Sequence, residues 1–90
     1  MYDIGRTATA GTDEKGDIRV IVGPPEGEIP GPVIRVDAHP LAVPRIESAA
    51  RAVLSEMGVE RATVTMEDHG ALDFIVRARL RTAIGRAIGC

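Results

Sequence analysis

Two stretches of the chain repeat their apolar residues with the period of a helix, and the rest alternates or breaks. From Pro44 to Met57, Ile46, Ala49, Ala50, Val53, Leu54 and Met57 fall at i, i+3, i+4, i+7, i+8 and i+11, one face of an α-helix. Pro44 suits its first position, and Gly58 suits the left-handed residue after its end. Glu47 and Arg51 lie four apart on the outer face, a pair worth a few tenths of a kcal/mol. A second helical stripe runs through Leu72, Ile75, Val76, Leu80, Ala83, Ile84, Ala87 and Ile88, leaving Arg77, Arg79, Arg81 and Arg86 beside it.

Between the two helices, Arg61 to Glu67 alternates strictly, with Ala62, Val64 and Met66 pointing one way, so it reads as a half-buried strand ended by Asp68-His69-Gly70. Thr7 to Ala10, Ile18 to Val22 and Val33 to Asp37 read as three further strands. Gly11-Thr12-Asp13-Glu14-Lys15-Gly16-Asp17 is the polar turn joining the first two, with Gly16 supplying a positive φ and Lys15 at an exposed tip. The segment Gly23 to Pro32 is too rich in Pro and Gly for helix or central strand and reads as a surface loop.

The predicted order is βββαβα, a two-layer α+β domain spanning residues 1–90. The first two strands form an antiparallel hairpin. The third and fourth lie parallel across a right-handed β-α-β crossover, which makes a mixed four-stranded sheet with both helices on one face.

Ninety residues bury only roughly 60–65% of the unfolded chain's surface, so a carrier or binding module is easy to build and an enclosed active site is not. The composition, 44% hydrophobic and 27% charged with a formal net charge of −2, argues against disorder and against nucleic-acid binding. The chain has neither an apolar run near 18 residues nor the layout of a signal peptide, which predicts a cytoplasmic protein without a membrane partner. One cysteine, Cys90, and two histidines, His39 and His69, do not make a usual metal site. No nucleophile–base pair or paired carboxylates stand at a readable spacing, which predicts a chain without catalytic residues of its own.

The segment Glu67-Asp68-His69-Gly70-Ala71-Leu72-Asp73, followed by Arg77-Ala78-Arg79-Leu80, resembles the D-x-G-A-L-D and R-A-R-L signature of the citrate lyase acyl carrier protein, the gamma subunit. Ala10-Gly11-Thr12-Asp13-Glu14-Lys15-Gly16-Asp17 is similar to that family's A-G-T-x-E-S-G-D stretch, in the same order and at a similar separation. The malonate decarboxylase carrier subunit is a more distant relative. The resemblance implies a subunit of a lyase complex working with lyase and transferase subunits, or with an aldolase-type enzyme. It implies a serine bearing phosphoribosyl-dephospho-coenzyme A, whose thiol carries the acyl group between active sites as a swinging arm.

The resemblance sets that serine at Lys15, and an amine cannot form the phosphodiester of the usual arm. Thr12 has a hydroxyl but matches the family's own threonine. Lys15 is the only lysine beside ten arginines. Its amine is either a replacement attachment point, through an amide or Schiff base, a contact for coenzyme phosphates, or an ordinary turn lysine. Cys90 offers a thiol that could hold a thioester, or is an incidental end. Arg77, Arg79 and Arg81, with Arg86, suit an acidic partner or phosphates, or are the wet side of their helix. Asp68, Gly70 and Asp73 fit the strand-to-helix junction as capping groups, with no catalytic role for His69 beside them. The leading reading is a carrier-like subunit that docks on a lyase or aldolase-type partner. The alternative is a stand-alone coenzyme A or small-molecule binding domain.

Overall fold

A computed structural model describes residues 4–88, so Cys90 lies outside the described residues. The element order is β1 (Ala8–Ala10), β2 (Ile18–Gly23), β3 (Val33–Asp37), α1 (Val43–Glu56), β4 (Thr63–Asp68) and α2 (Asp73–Ile88). The βββαβα order and the mixed four-stranded sheet expected from the sequence are both present.

The sheet runs β1-β2-β4-β3. β1 pairs antiparallel with β2, and β3 pairs parallel with β4, as the pattern required. The junction between the two pairs is an antiparallel ladder from β2 to β4, in which Ile18 faces Asp68 and Val22 faces Val64. Alternation then decides which side each residue takes. Ile18, Val20 and Val22 of β2 and Val64 and Met66 of β4 are fully buried beneath the helices. Arg19, Ile21, Thr65 and Glu67 occupy the opposite face and are only half-buried.

α1 places Ile46, Ala49, Ala50, Val53 and Leu54 in the core, and α2 contributes Val76, Leu80, Ala83, Ile84 and Ala87. The end of α1 follows from its glycine. Gly58 takes φ +71°, its N–H donates to the Ser55 carbonyl at 3.1 Å, and the Val59 N–H donates to the Leu54 carbonyl at 2.9 Å. That is a complete Schellman motif, with Val59 and Leu54 both buried across it. The expected Glu47–Arg51 pair forms at 3.1 Å.

Leu72 departs from the sequence expectation. It is 65% exposed instead of sitting on the apolar stripe. α2 begins at Asp73, and the Leu72 carbonyl accepts the N–H groups of Ile75 and Val76 at 3.0 and 3.1 Å. Leu72 is therefore the cap and lies off the helical cylinder on which the spacing was counted. Among the described residues no helix is long and apolar enough to cross a membrane.

Candidate functional site

The polar turn between β1 and β2 is built by one carboxylate. Oδ2 of Asp17 accepts the Thr12 hydroxyl at 2.7 Å and the Thr12 backbone N–H at 3.1 Å, closing the loop on itself. Oδ1 accepts the N–H of Ile18 at 2.7 Å, at the point where β2 begins. Arg79, on α2, then donates Nε to Oδ1 at 3.0 Å and Nη2 to Oδ2 at 3.2 Å. The Thr12 hydrogen bonds, the Arg79 hydrogen bonds and the Ile18 amide, in that order, hold the Asp17 carboxyl well below the usual carboxylate range, against the opposing effect of burial.

The tip itself is a four-residue turn, with the Asp17 N–H donating to the Glu14 carbonyl at 3.0 Å. Lys15 and Gly16 are its two central residues, and Gly16 takes φ +86°, as a type II turn demands at its third position. A second clip fixes this tip from outside the hairpin. The Gly16 N–H donates to the His69 carbonyl at 2.7 Å, and the His69 N–H donates to the Asp17 carbonyl at 2.9 Å. The turn is thus laced to the junction between β4 and α2, the same junction that carries the second sequence signature.

That junction is itself capped. Asp68 Oδ1 accepts the Ala71 N–H at 3.0 Å, and Asp73 stands in the first turn of α2, where its charge opposes the positive helix end. Gly70 turns the chain with φ +93°. Leu72 and Phe74, each 65% exposed, present large apolar side chains to solvent just beyond it.

Gly11 makes the loop's first bend. It takes φ +88°, and a Cβ there would overlap the carbonyl oxygen of Ile18. Only glycine fits such an approach.

Lys15 is exposed at the apex, as its place in the turn suggested. Among the described residues it makes no ion pair and no hydrogen bond. Two of the three acidic groups around it are engaged elsewhere: Asp13 lies 3.4 Å from Arg19 and 3.5 Å from the His69 imidazole, and Asp17 is occupied by Thr12 and Arg79. The Thr12 hydroxyl is equally committed, donating to Asp17 and accepting the Glu14 N–H at 3.2 Å.

Each of the candidate arginines is taken up by a carboxylate. Arg77 pairs with Asp73 at 2.8 Å, Arg79 with Asp17, and Arg81 with Glu56 of α1 at 2.9 Å. Arg86, also off the stripe, donates to the Thr9 carbonyl at 2.7 Å. Sequence reading had missed the part played by Asp17. The only local sign of it was a Gly-Asp pair at the start of a strand, because its partner Arg79 lies 62 residues away.

Comparison with known proteins gives this arrangement its family. The malonate decarboxylase delta subunit (MdcD) model of acyl carrier proteins matches residues 5–87. The chain belongs to this acyl carrier family. The citrate lyase acyl carrier protein of Rhodopseudomonas palustris is 41% identical over 85 residues, covering 94% of this chain and 87% of the relative. The Escherichia fergusonii protein of the same name is 38% identical over 89 residues, with 94% and 88% covered. That of Halothermothrix orenii is 34% identical over 85 residues, with 94% and 89% covered. A chain in the crystal structure of a Pseudomonas malonate decarboxylase hetero-tetramer in complex with malonate shares the fold, with a TM-score of 0.71 at 16% identity over 96% of this chain and 88% of that one. The two stretches that carry the sequence resemblance, the turn at residues 10–17 and the junction at residues 67–73, meet in the two hydrogen bonds between His69 and the turn.

Proposed function

We propose that this protein is a carrier-like subunit of a cytoplasmic lyase complex, with no catalysis of its own. It docks on a citrate-lyase-type or related aldolase-type partner and turns residue 15 toward that partner's active site. The observation that carries this reading is the turn. A tip braced by Asp17 from within and by His69 from outside holds residue 15 outward at a fixed place, which is what a carrier needs at the base of an arm.

Lys15 stands where the family resemblance sets the prosthetic serine, and its amine cannot accept a phosphodiester. The serine-linked phosphoribosyl-dephospho-coenzyme A arm is therefore absent from this subunit. Thr12 does not substitute for the serine, since both hydrogen-bonding roles of its hydroxyl serve the loop. Leu72 and Phe74 beside the braced junction supply apolar surface for the docking partner.

A stand-alone coenzyme A binding domain would need free cations to meet phosphates. Arg77, Arg79 and Arg81 are each paired with a carboxylate, and Asp13, Glu14 and Asp17 around Lys15 repel an anion. The discriminating experiment is affinity purification of the tagged chain from its native source. Co-purifying lyase-type subunits support the carrier reading. A chain that elutes alone and binds coenzyme A by calorimetry overturns it. Lys15→Ser extends the test: a gain of the family's prosthetic group, and of citrate cleavage with the partners, is the expected result.

A further inference from the structure

We infer that Lys15 is a modification site, its Nζ joined by an amide bond to a carboxylic acid whose far end carries a thiol or a cyclic disulfide. This rests on the carrier reading above and names the arm that such a subunit would use.

Three features of the turn point to it. First, Lys15 is the only lysine in the chain, so among its side chains an acylating enzyme finds one amine, while the ten arginines are not acylated. Second, that amine is free: it is exposed at the apex of the turn and makes no ion pair or hydrogen bond among the described residues. Third, the base is rigid where the side chain is not. Gly16, Asp17 and His69 fix the backbone by hydrogen bonds of 2.7 to 3.0 Å, and the four-carbon stem of lysine then adds reach of its own. A stiff pivot below a flexible arm keeps the tethered group at high effective concentration near a docked active site.

The chemistry separates two jobs that a lysine acyl group would confuse. An amide is unactivated, so an acyl group bound directly to Nζ would not transfer. It makes a durable tether, however, and leaves a distal thiol to hold the transferable acyl group as a thioester. A Schiff base serves less well, because an exposed imine hydrolyses.

The attachment step takes an acid already activated as its acyl adenylate. The Lys15 ammonium gives up one proton and Nζ attacks the carbonyl carbon. The bond from carbon to the phosphate oxygen breaks, AMP leaves with the electron pair, and the nitrogen loses its second proton as the amide forms. No oxidant or reductant enters this step.

The lone lysine makes the test direct. Protein purified with its partners from the native source is measured by intact mass, then digested with trypsin. An unmodified chain is cut after Lys15, giving residues 7–15 and 16–19, whereas an acylated one yields residues 7–19 uncut. The inference predicts an uncut peptide with added mass on Lys15. That mass resists neutral hydroxylamine and gains one alkylatable thiol, or two, on reduction. A bare mass in a chain that still co-purifies with lyase subunits overturns the amide arm and leaves the carrier reading standing. Added mass on Thr12 or Cys90, or an added group on Lys15 without any thiol, overturns it as well. A bare chain found without partners overturns both.

Discussion

Arg79 of α2 grips both carboxylate oxygens of Asp17, 62 residues earlier in the chain, at 3.0 and 3.2 Å. The same carboxylate closes the turn through Thr12, so one side chain couples the position of the turn to the packing of the last helix. Asp17→Asn keeps the size and removes the charge. It leaves a guanidinium facing a neutral amide and is expected to cost about 1–3 kcal/mol in urea denaturation. Arg79→Lys keeps the charge and loses the fork, so its loss should be smaller but measurable.

The pH dependence follows from the same group. Asp17 has a folded pKa depressed below its unfolded value, so its contribution is fully present above the ordinary carboxylate pKa near 3.8. It is lost progressively as pH falls from there toward the folded value. Denaturation followed between pH 6 and pH 2 should show stability falling below about pH 4. In Asp17→Asn the fall should be shallower, because that proton no longer distinguishes the two states.

Two glycines of the loop should respond very differently to alanine. Both have positive φ, but a Cβ on Gly11 meets the Ile18 carbonyl whereas a Cβ on Gly16 meets nothing within 4 Å. Gly16→Ala is expected to cost about 1–2 kcal/mol, the left-handed penalty alone. Gly11→Ala must also move the start of β2, so its thermal midpoint should fall further than that of Gly16→Ala.

Lys15 contributes nothing to folding. Exposed and without partners among the described residues, it can become alanine with a stability change within about 0.5 kcal/mol. Complex activity should nevertheless disappear in Lys15→Ala, while co-purification with lyase-type subunits persists. A variant that folds normally and keeps full activity would show that the side chain has no role.

Much of this fold was written in local pattern. α1 carried its period, its first-turn proline and its terminal glycine in contiguous sequence, and the structure moves its limits by a single residue. The run leading into and through β4 announced its inward residues by alternation, and Ala62, Val64 and Met66 are all buried in the core. The exposed lysine at a glycine turn was equally legible. What local pattern did not carry was long-range pairing. Nothing around Asp17 named Arg79 as its partner, and nothing around the turn named the His69 backbone, because those contacts exist only after β4 has inserted beside β2. Leu72 shows the complementary failure: its spacing fitted a helix whose first turn begins one residue later.

The central claim is that the tip of this turn faces a partner's active site, and photo-crosslinking tests it most directly. A photoreactive residue in place of Glu14, next to the apex, is compared in the native complex with one in place of Glu60. Glu60 precedes β4, whose six residues separate it from the turn by about 20 Å. The account predicts that the probe at residue 14 crosslinks to residues lining the catalytic cleft of a lyase-type subunit and that the probe at residue 60 does not. Crosslinks to the cleft from residue 60 alone, or none to any partner from residue 14, would contradict it.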